Sequence, residues 1–220
     1  MKIEIWSDYT CPFCYIGKRR LELAVEELPF KGEIEIEYKS FELDANAPKK
    51  YDGSIHELIA KKYGISVERA KGSNDQIVSQ AKSIGLLYDF DQIKPTNTFD
   101  AHRLTQFSKT IGKQHEISEA LFRAYFTEGK NLSDVEELAK ISSCVGIEYK
   151  VAIDILESNQ YAEAVRDDED QAREYGVTGV PYFVINDKFA VSGAQPIAVL
   201  KKTLEDIYNP TKGESYEFTL

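Results

Sequence analysis

The chain has 220 residues, 42% of them apolar, with 27 basic against 37 acidic side chains for a net charge of −10. That length suits one large domain, or a domain carrying an insertion, with a real core. The acidic balance disfavours nonspecific attraction to nucleic acid or to an anionic membrane, and no apolar run approaches the roughly 18 residues of a membrane span. The opening MKIEIWSDYT has no apolar h-region, so the expected location is cytoplasmic. Three cysteines, a small odd number, fit a reducing compartment better than a disulfide scaffold.

KIEIWS alternates apolar and polar residues and predicts a strand. Pro12 suits the first position of a helix, which makes Cys11 its N-cap, and Leu21, Ala24, Val25 and Leu28 recur at helical spacing up to Pro29. EIEIEYKSF is a second alternating run, with Ile34, Ile36 and Tyr38 on one face. The start therefore reads strand, helix, strand, with a crossover long enough for parallel pairing.

From about residue 52 the pattern turns helical. SIHE from Ser54 and SDVE from Ser133 have capping-box spacing and predict helix starts. Ile77, Ala81 and Ile84 form a short stripe ending near Gly85. Ala101, Leu104, Phe107, Ser108 and Ile111 form another with one polar member, and Ile117, Ala120, Leu121, Ala124 and Tyr125 a third. Strand character returns at VPYFVINDKFAVSG, where Asn186-Asp187 predicts a two-residue hairpin turn. A last helix follows Pro196, with Ile197, Leu200, Leu204 and Ile207 as its apolar stripe. The tail from Asn209 is polar with scattered aromatics. One sheet collects both β-rich ends if the helical block is inserted between them.

Cys11 and Cys14 bracket Pro12-Phe13 at the predicted strand-to-helix junction. A sulfur there faces unsatisfied backbone N–H groups and the positive end of the helix dipole, which favour a thiolate. The thiolate is the nucleophile of disulfide exchange, and a second sulfur one turn on can close onto the first and release a mixed disulfide. On these grounds Cys11 attacks and Cys14 resolves. Two alternatives stay open. A zinc site uses this spacing but wants four ligands, and Cys144, His56, His102 and His115 include no second close pair. Two unrelated buried thiols are the other alternative, since cysteine packs as a small hydrophobe. Pro181 in TGVPYFVI either marks a strand start or sits in a cis-proline loop beside the cysteines, where Val180 offers its backbone to an extended peptide.

SDYTCPFC, TGVPYFVI and VSGAQP, with NTFDAHRL from Asn97 to Leu104, together resemble the DsbA-like thiol–disulfide oxidoreductases over nearly the whole chain. Within that family they resemble the FrnE-like branch, related to 2-hydroxychromene-2-carboxylate isomerases and kappa-class glutathione transferases. The resemblance implies an α/β, thioredoxin-like fold with a large all-helical insertion: residues 1–48 and 165–220 form the thioredoxin-like part and 49–164 the insertion. It implies a disulfide oxidoreductase or isomerase with Cys11 nucleophilic, Cys14 resolving and Pro181 the cis residue. Pro12, Phe13 and Val180 would meet the substrate. Asn97, His102 and Arg103 would either orient it or serve packing. The implied partner is a protein or peptide disulfide, with no cofactor beyond the cysteine pair and glutathione as a candidate co-substrate.

Two departures stand out. Phe13 occupies the place of the usual DsbA histidine and cannot donate to a thiolate. Many thioredoxin-like proteins also carry a buried acid six residues before the attacking cysteine, where this chain has Ile5; another group must then take the proton of Cys14. Asp8 is read as a turn residue without a catalytic role. The enzymatic alternative is a glutathione-dependent isomerase or transferase, whose relatives place serine where Cys11 stands. The non-enzymatic alternative is a thioredoxin-fold or zinc-bound binding module. Cys144, near a helix end, is expected to be a buried small hydrophobe, with a regulatory thiol as the other reading.

Overall fold

The computed structural model describes residues 1–210, so most of the polar tail lies outside the described residues. Strand β1 (Lys2–Ser7), helix α1 (Pro12–Glu26) and strand β2 (Glu35–Ser40) form the expected βαβ unit, with β1 and β2 parallel. Seven helices follow before the chain returns to the sheet. They are α2 (Ile55–Tyr63), α3 (Val67–Lys82), α4 (Phe99–Thr110), α5 (Gln114–Phe126), α6 (Val135–Cys144), α7 (Tyr149–Leu156) and α8 (Ala162–Glu174). Strands β3 (Tyr182–Ile185) and β4 (Phe189–Ser192) form an antiparallel hairpin, and α9 (Ile197–Tyr208) closes the described fold. The sheet order is β2-β1-β3-β4, with Ile5 opposite Tyr38 on one side and Phe183 on the other.

The hairpin turn follows from its residues. Asn186 and Asp187 both adopt positive φ, 52° and 53°, and Lys188 N–H closes the turn onto the Ile185 carbonyl at 3.2 Å. The register pairs Ile185 with Phe189, so Lys188 is a third residue of the connection. At Ser54 both halves of the capping box form: Glu57 N–H donates to Ser54 Oγ at 3.2 Å, and the Glu57 carboxylate accepts the Ser54 N–H at 2.7 Å. The second predicted box moves by one residue. Asp134 caps α6, accepting from Glu136 and Glu137 N–H, because the Ser133 hydroxyl is taken by Asn97, which it meets through both backbone N–H and carbonyl.

β1 forms as expected, and despite its alternation both of its faces are buried. Ile3 and Ile5 pack with Leu21 and Ala24 of α1 and Leu200 and Leu204 of α9. Trp6 packs on the opposite face against Ala172 of α8, and Glu4 is buried beside it. Helix α4 differs similarly from its predicted stripe. Asp100 to Gln106 are buried without a break, because α5, α6, α7 and α8 all pack on this helix. Several of its polar residues find partners: Gln106 donates to Ser40 Oγ at 2.8 Å, and Thr105 to the Ala101 carbonyl at 3.0 Å. Helix α8 runs across the expected boundary between residues 164 and 165, touching both α4 and β2.

Candidate active site

The site forms where β1 hands over to α1. Cys11 is the N-cap of α1, in extended conformation at φ −87° and ψ 112°, and Pro12 fills the first helical position. No side chain caps the helix there, so its first N–H groups and the positive end of its dipole stay directed at the cysteine turn. Cys11 N–H donates to the Asp8 carbonyl, and Cys14 N–H to the Cys11 carbonyl, each at 3.0 Å. These bonds tighten the Cys11-to-Cys14 turn and hold the two sulfurs together; both are free thiols.

The two sulfurs have different surroundings. Cys14 is fully buried, and its thiol is pushed well above the ordinary range by burial and then by the neighbouring Cys11 sulfur. The Asp8 backbone amide pulls weakly the other way. Cys11 retains 6% exposure and borders a cavity of about 850 Å³. Pro12 and Phe13 continue the cavity wall, which is largely apolar, with Leu43, Ile55 and Phe90 opposite and Lys61 and Lys62 among its charged members. Phe13 is 40% exposed. Tyr88 holds the turn from the insertion side, donating to the Pro12 carbonyl at 2.8 Å.

Across from Cys11, its Sγ lies 3.5 Å from the Val180 carbonyl, and the Val180–Pro181 peptide bond is cis. A glycine permits this approach. A Cβ on Gly17, one turn after Cys14, would stand 2.8 Å from Pro181 Cγ and 3.3 Å from Phe183 Cζ. Gly17 belongs to no motif of its own, and its place one turn beyond the cysteine pair is its nearest signal in the sequence.

The insertion residues divide. Cys11, Pro12, Phe13, Val180 and Pro181 come together, whereas Arg103 and Asn97 do not join them. Arg103 is buried and its guanidinium is spent on the end of α7. It donates to the Gln160 carbonyl and to Asp100, and its Nη2 meets the Ile155 and Ser158 carbonyls. Asn97 accepts the Phe99 N–H and reaches the Ala45 carbonyl, which makes it a residue of the α4 entrance. His102 is buried behind Asp8, with its Nε2 3.9 Å from Asp8 Oδ1. Asp8, read from sequence as a turn residue, is itself buried and lines the cavity. Both roles require a partner 94 positions away, which no local pattern reveals.

Cys144 is exposed, against the expectation of a buried hydrophobe. Leu138, Ala139, Ile141 and Ser142 define the buried side of α6, and Cys144 falls on the opposite side. His56 bonds Asn74 and Asp91, and His115 bonds Tyr38. Among the described residues no three His, Cys, Asp or Glu side chains converge as a metal site.

Several known proteins share this architecture. A probable DsbA oxidoreductase from Streptomyces coelicolor superposes with a TM-score of 0.92 at 32% identity, over 100% of this chain and 98% of its own. The cytosolic disulfide reductase DsbM from Pseudomonas aeruginosa with GSH gives 0.62 at 15% identity, covering 94% and 99%. A 2-hydroxychromene-2-carboxylate isomerase gives 0.71 at 16%, covering 94% and 96%. The last two share the fold. The model of the DSBA-like thioredoxin domain matches residues 2–205, and the chain belongs to that family.

Proposed function

We propose that the protein is a thiol–disulfide oxidoreductase or isomerase acting on protein or peptide disulfides, with Cys11 attacking and Cys14 resolving. One observation carries the reading: of two thiols held one helical turn apart, Cys11 opens onto the cavity and faces the Val180 carbonyl, while Cys14 is sealed and kept protonated. Helix-terminal N–H groups and the dipole favour negative charge at Cys11. Its thiolate attacks one sulfur of the substrate disulfide, forming a mixed disulfide and expelling the other sulfur as a thiolate. Cys14 then attacks Cys11 Sγ, the Cys11–substrate bond breaks, and the reduced substrate departs. The pair has lost two electrons and the substrate has gained them.

Pro12, Phe13 and Val180 line the substrate's path, the exposed Phe13 ring offering apolar contact without a hydrogen bond to the thiolate. A cytoplasmic setting would keep the pair mostly reduced and favour reduction or isomerisation. No helix among the described residues is long and apolar enough to cross a membrane. No cofactor beyond the cysteine pair is needed.

A second reading, glutathione as co-substrate or as the substrate of an isomerase, is favoured by the DsbM neighbour bound to GSH and by the isomerase neighbour. The variant Cys14→Ser separates the two. A disulfide enzyme accumulates a mixed disulfide at Cys11, visible as an added mass, and stops reducing insulin. A glutathione isomerase keeps turning over and traps no protein partner.

A further inference from the structure

Cys14 must lose a proton to resolve the mixed disulfide, and Ile5, buried and apolar, offers no acceptor. A different buried pair occupies the same end of β1. Asp8 and His102 are each 2% exposed. The Asp8 carbonyl accepts the Cys11 N–H at 3.0 Å, and Asp8 borders the same cavity as Cys11; its amide lowers the Cys14 thiol while its carboxylate charge raises it. The carboxylate is fixed on both oxygens: Oδ1 accepts Thr10 N–H at 3.2 Å and Oδ2 accepts Leu43 N–H at 2.7 Å. His102 Nε2 stands 3.9 Å from Oδ1, within ion-pair range but beyond a hydrogen bond, and it has no hydrogen-bond partner. A buried polar atom left without a partner is costly. Taking up a proton opposite a carboxylate gives this one a purpose.

The two buried phenols around the pair are poorer acceptors. Tyr9 packs its ring 5.0 Å from the imidazole and bonds Thr105 and Ser118; burial pushes its phenol up to about 12. Tyr125 of α5, also buried, is raised further, again by burial. Glu42 is tied through Oε2 to Arg166 at 2.6 Å, and Arg166 also holds Glu169. The Glu42 Oε1 has no hydrogen-bond partner and burial raises its carboxyl, which makes it the competing acceptor that His102→Gln would leave in place. Burial pushes Asp8 up, but His102 and the Leu43 and Thr10 amides outweigh it and hold the carboxyl below its usual range. Asp8 is therefore a standing anion, suited to support an imidazolium and not to store a proton. Imidazole in general exchanges its proton near neutral pH, where a general base works best.

We propose that His102, supported by Asp8, accepts the proton of Cys14, an inference that rests on the disulfide-exchange reading above. As the Cys14 S–H bond breaks, the proton goes to His102 Nε2, whose new charge the Asp8 carboxylate balances, and the sulfur's electron pair forms the bond to Cys11 Sγ. The Cys11–substrate S–S bond breaks at the same time. The departing sulfur leaves with that bonding pair and takes a proton from solvent, and His102 later returns its own.

Stopped-flow reaction with one equivalent of 5,5′-dithiobis(2-nitrobenzoate) separates the two steps. The experiment uses a Cys144→Ser background, because the exposed Cys144 thiol would also react. Attack by Cys11 releases the first coloured thiolate, and resolution by Cys14 releases the second. Between pH 5 and 9 the second phase should rise and then level off in the otherwise unaltered protein. His102→Gln should slow it by about tenfold or more at neutral pH and make it climb in proportion to hydroxide, with the first phase within about twofold. Asp8→Asn should show the same split and serves if His102→Gln fails to fold. A second phase proportional to hydroxide in the unaltered protein would overturn the proposal. So would either variant keeping the original second phase, or losing both phases equally. Absence of any second release from the unaltered protein would instead defeat the disulfide-exchange reading itself.

Discussion

On one face of β1, Ile3 and Ile5 meet Leu21, Leu200 and Leu204 in a wholly apolar contact. On the other, Glu4 and Trp6 lie beside Glu37, Lys39 and Asp168 in a buried network of charges. The first face needs only volume and shape, since apolar burial has no direction. The second is directional. Asp168 of α8 accepts the Ser40 N–H at 2.8 Å, takes Gln106 of α4 on the same oxygen, and pairs with Lys39 at 3.1 Å. Trp6 Nε1 donates to the Asp168 carbonyl at 2.8 Å. Charged residues here fix how α4 and α8 sit on the sheet, and α4 carries His102 to Asp8. The apolar face holds the fold together, and the ionic face sets the register of the site.

Removing one member from each face gives the largest contrast. Asp168→Ala leaves the Ser40 N–H without its acceptor and Lys39 with only Glu4 and Glu37, and should cost about 3–5 kcal/mol. Ile5→Ala should cost about 2–5 kcal/mol through lost contact and a residual cavity. Urea unfolding of both, each combined with Lys39→Met, sharpens the difference: the Asp168 loss should couple to Lys39 and the Ile5 loss should add independently. A cost below about 1 kcal/mol for Asp168→Ala would remove the directional role of this face.

Acid should act on one face only. Burial raises the Glu37 carboxyl, but the Lys109 hydrogen bond, the Lys39 charge and the Lys2 hydrogen bond outweigh it and bring its pKa to about 2. A depressed carboxyl contributes stability that is present above its unfolded value, near 4.5, and lost as pH falls towards 2. Glu37→Gln should flatten the pH dependence of unfolding in that window, by on the order of 2–3 kcal/mol. An unchanged profile between pH 4.5 and 2 would mean that the Glu37 pairing does not stabilise the folded state.

A smaller effect is expected where the faces converge. Gly17→Ala places a methyl 2.8 Å from Pro181, and overpacking of this kind costs about 1–3 kcal/mol. Insulin reduction should fall more than thermal stability, because the displaced loop carries the Val180 carbonyl opposite Cys11. Equal stability and full activity would show that the helix and the loop tolerate separation.

Several features were legible because their causes are local. Pro12 after Cys11, the Ser54–Glu57 box and the Asn186-Asp187 turn each depend on residues within one turn of each other. Misreadings arose where a distant partner intervened. Ser133 lost its cap to Asp134 because Asn97 claimed its hydroxyl. Arg103 reads as either a substrate or a packing residue, and only the end of α7 shows what its guanidinium meets. Glu4 belongs to an alternating strand in the sequence, and only α8 and its neighbours turn the polar face inward.

From the chain alone came the strand–helix junction, the two thiols one turn apart and the order of elements, since short-range sterics and hydrogen bonds dictate them. Tertiary structure decided which thiol is sealed, what lies beneath the pair and which charges are buried. Those outcomes depend on desolvation and on contacts across some hundred residues. Burial raises Cys14, and the packing of α4 places His102 against Asp8; neither is a property of the residues until the sheet and the insertion close around them.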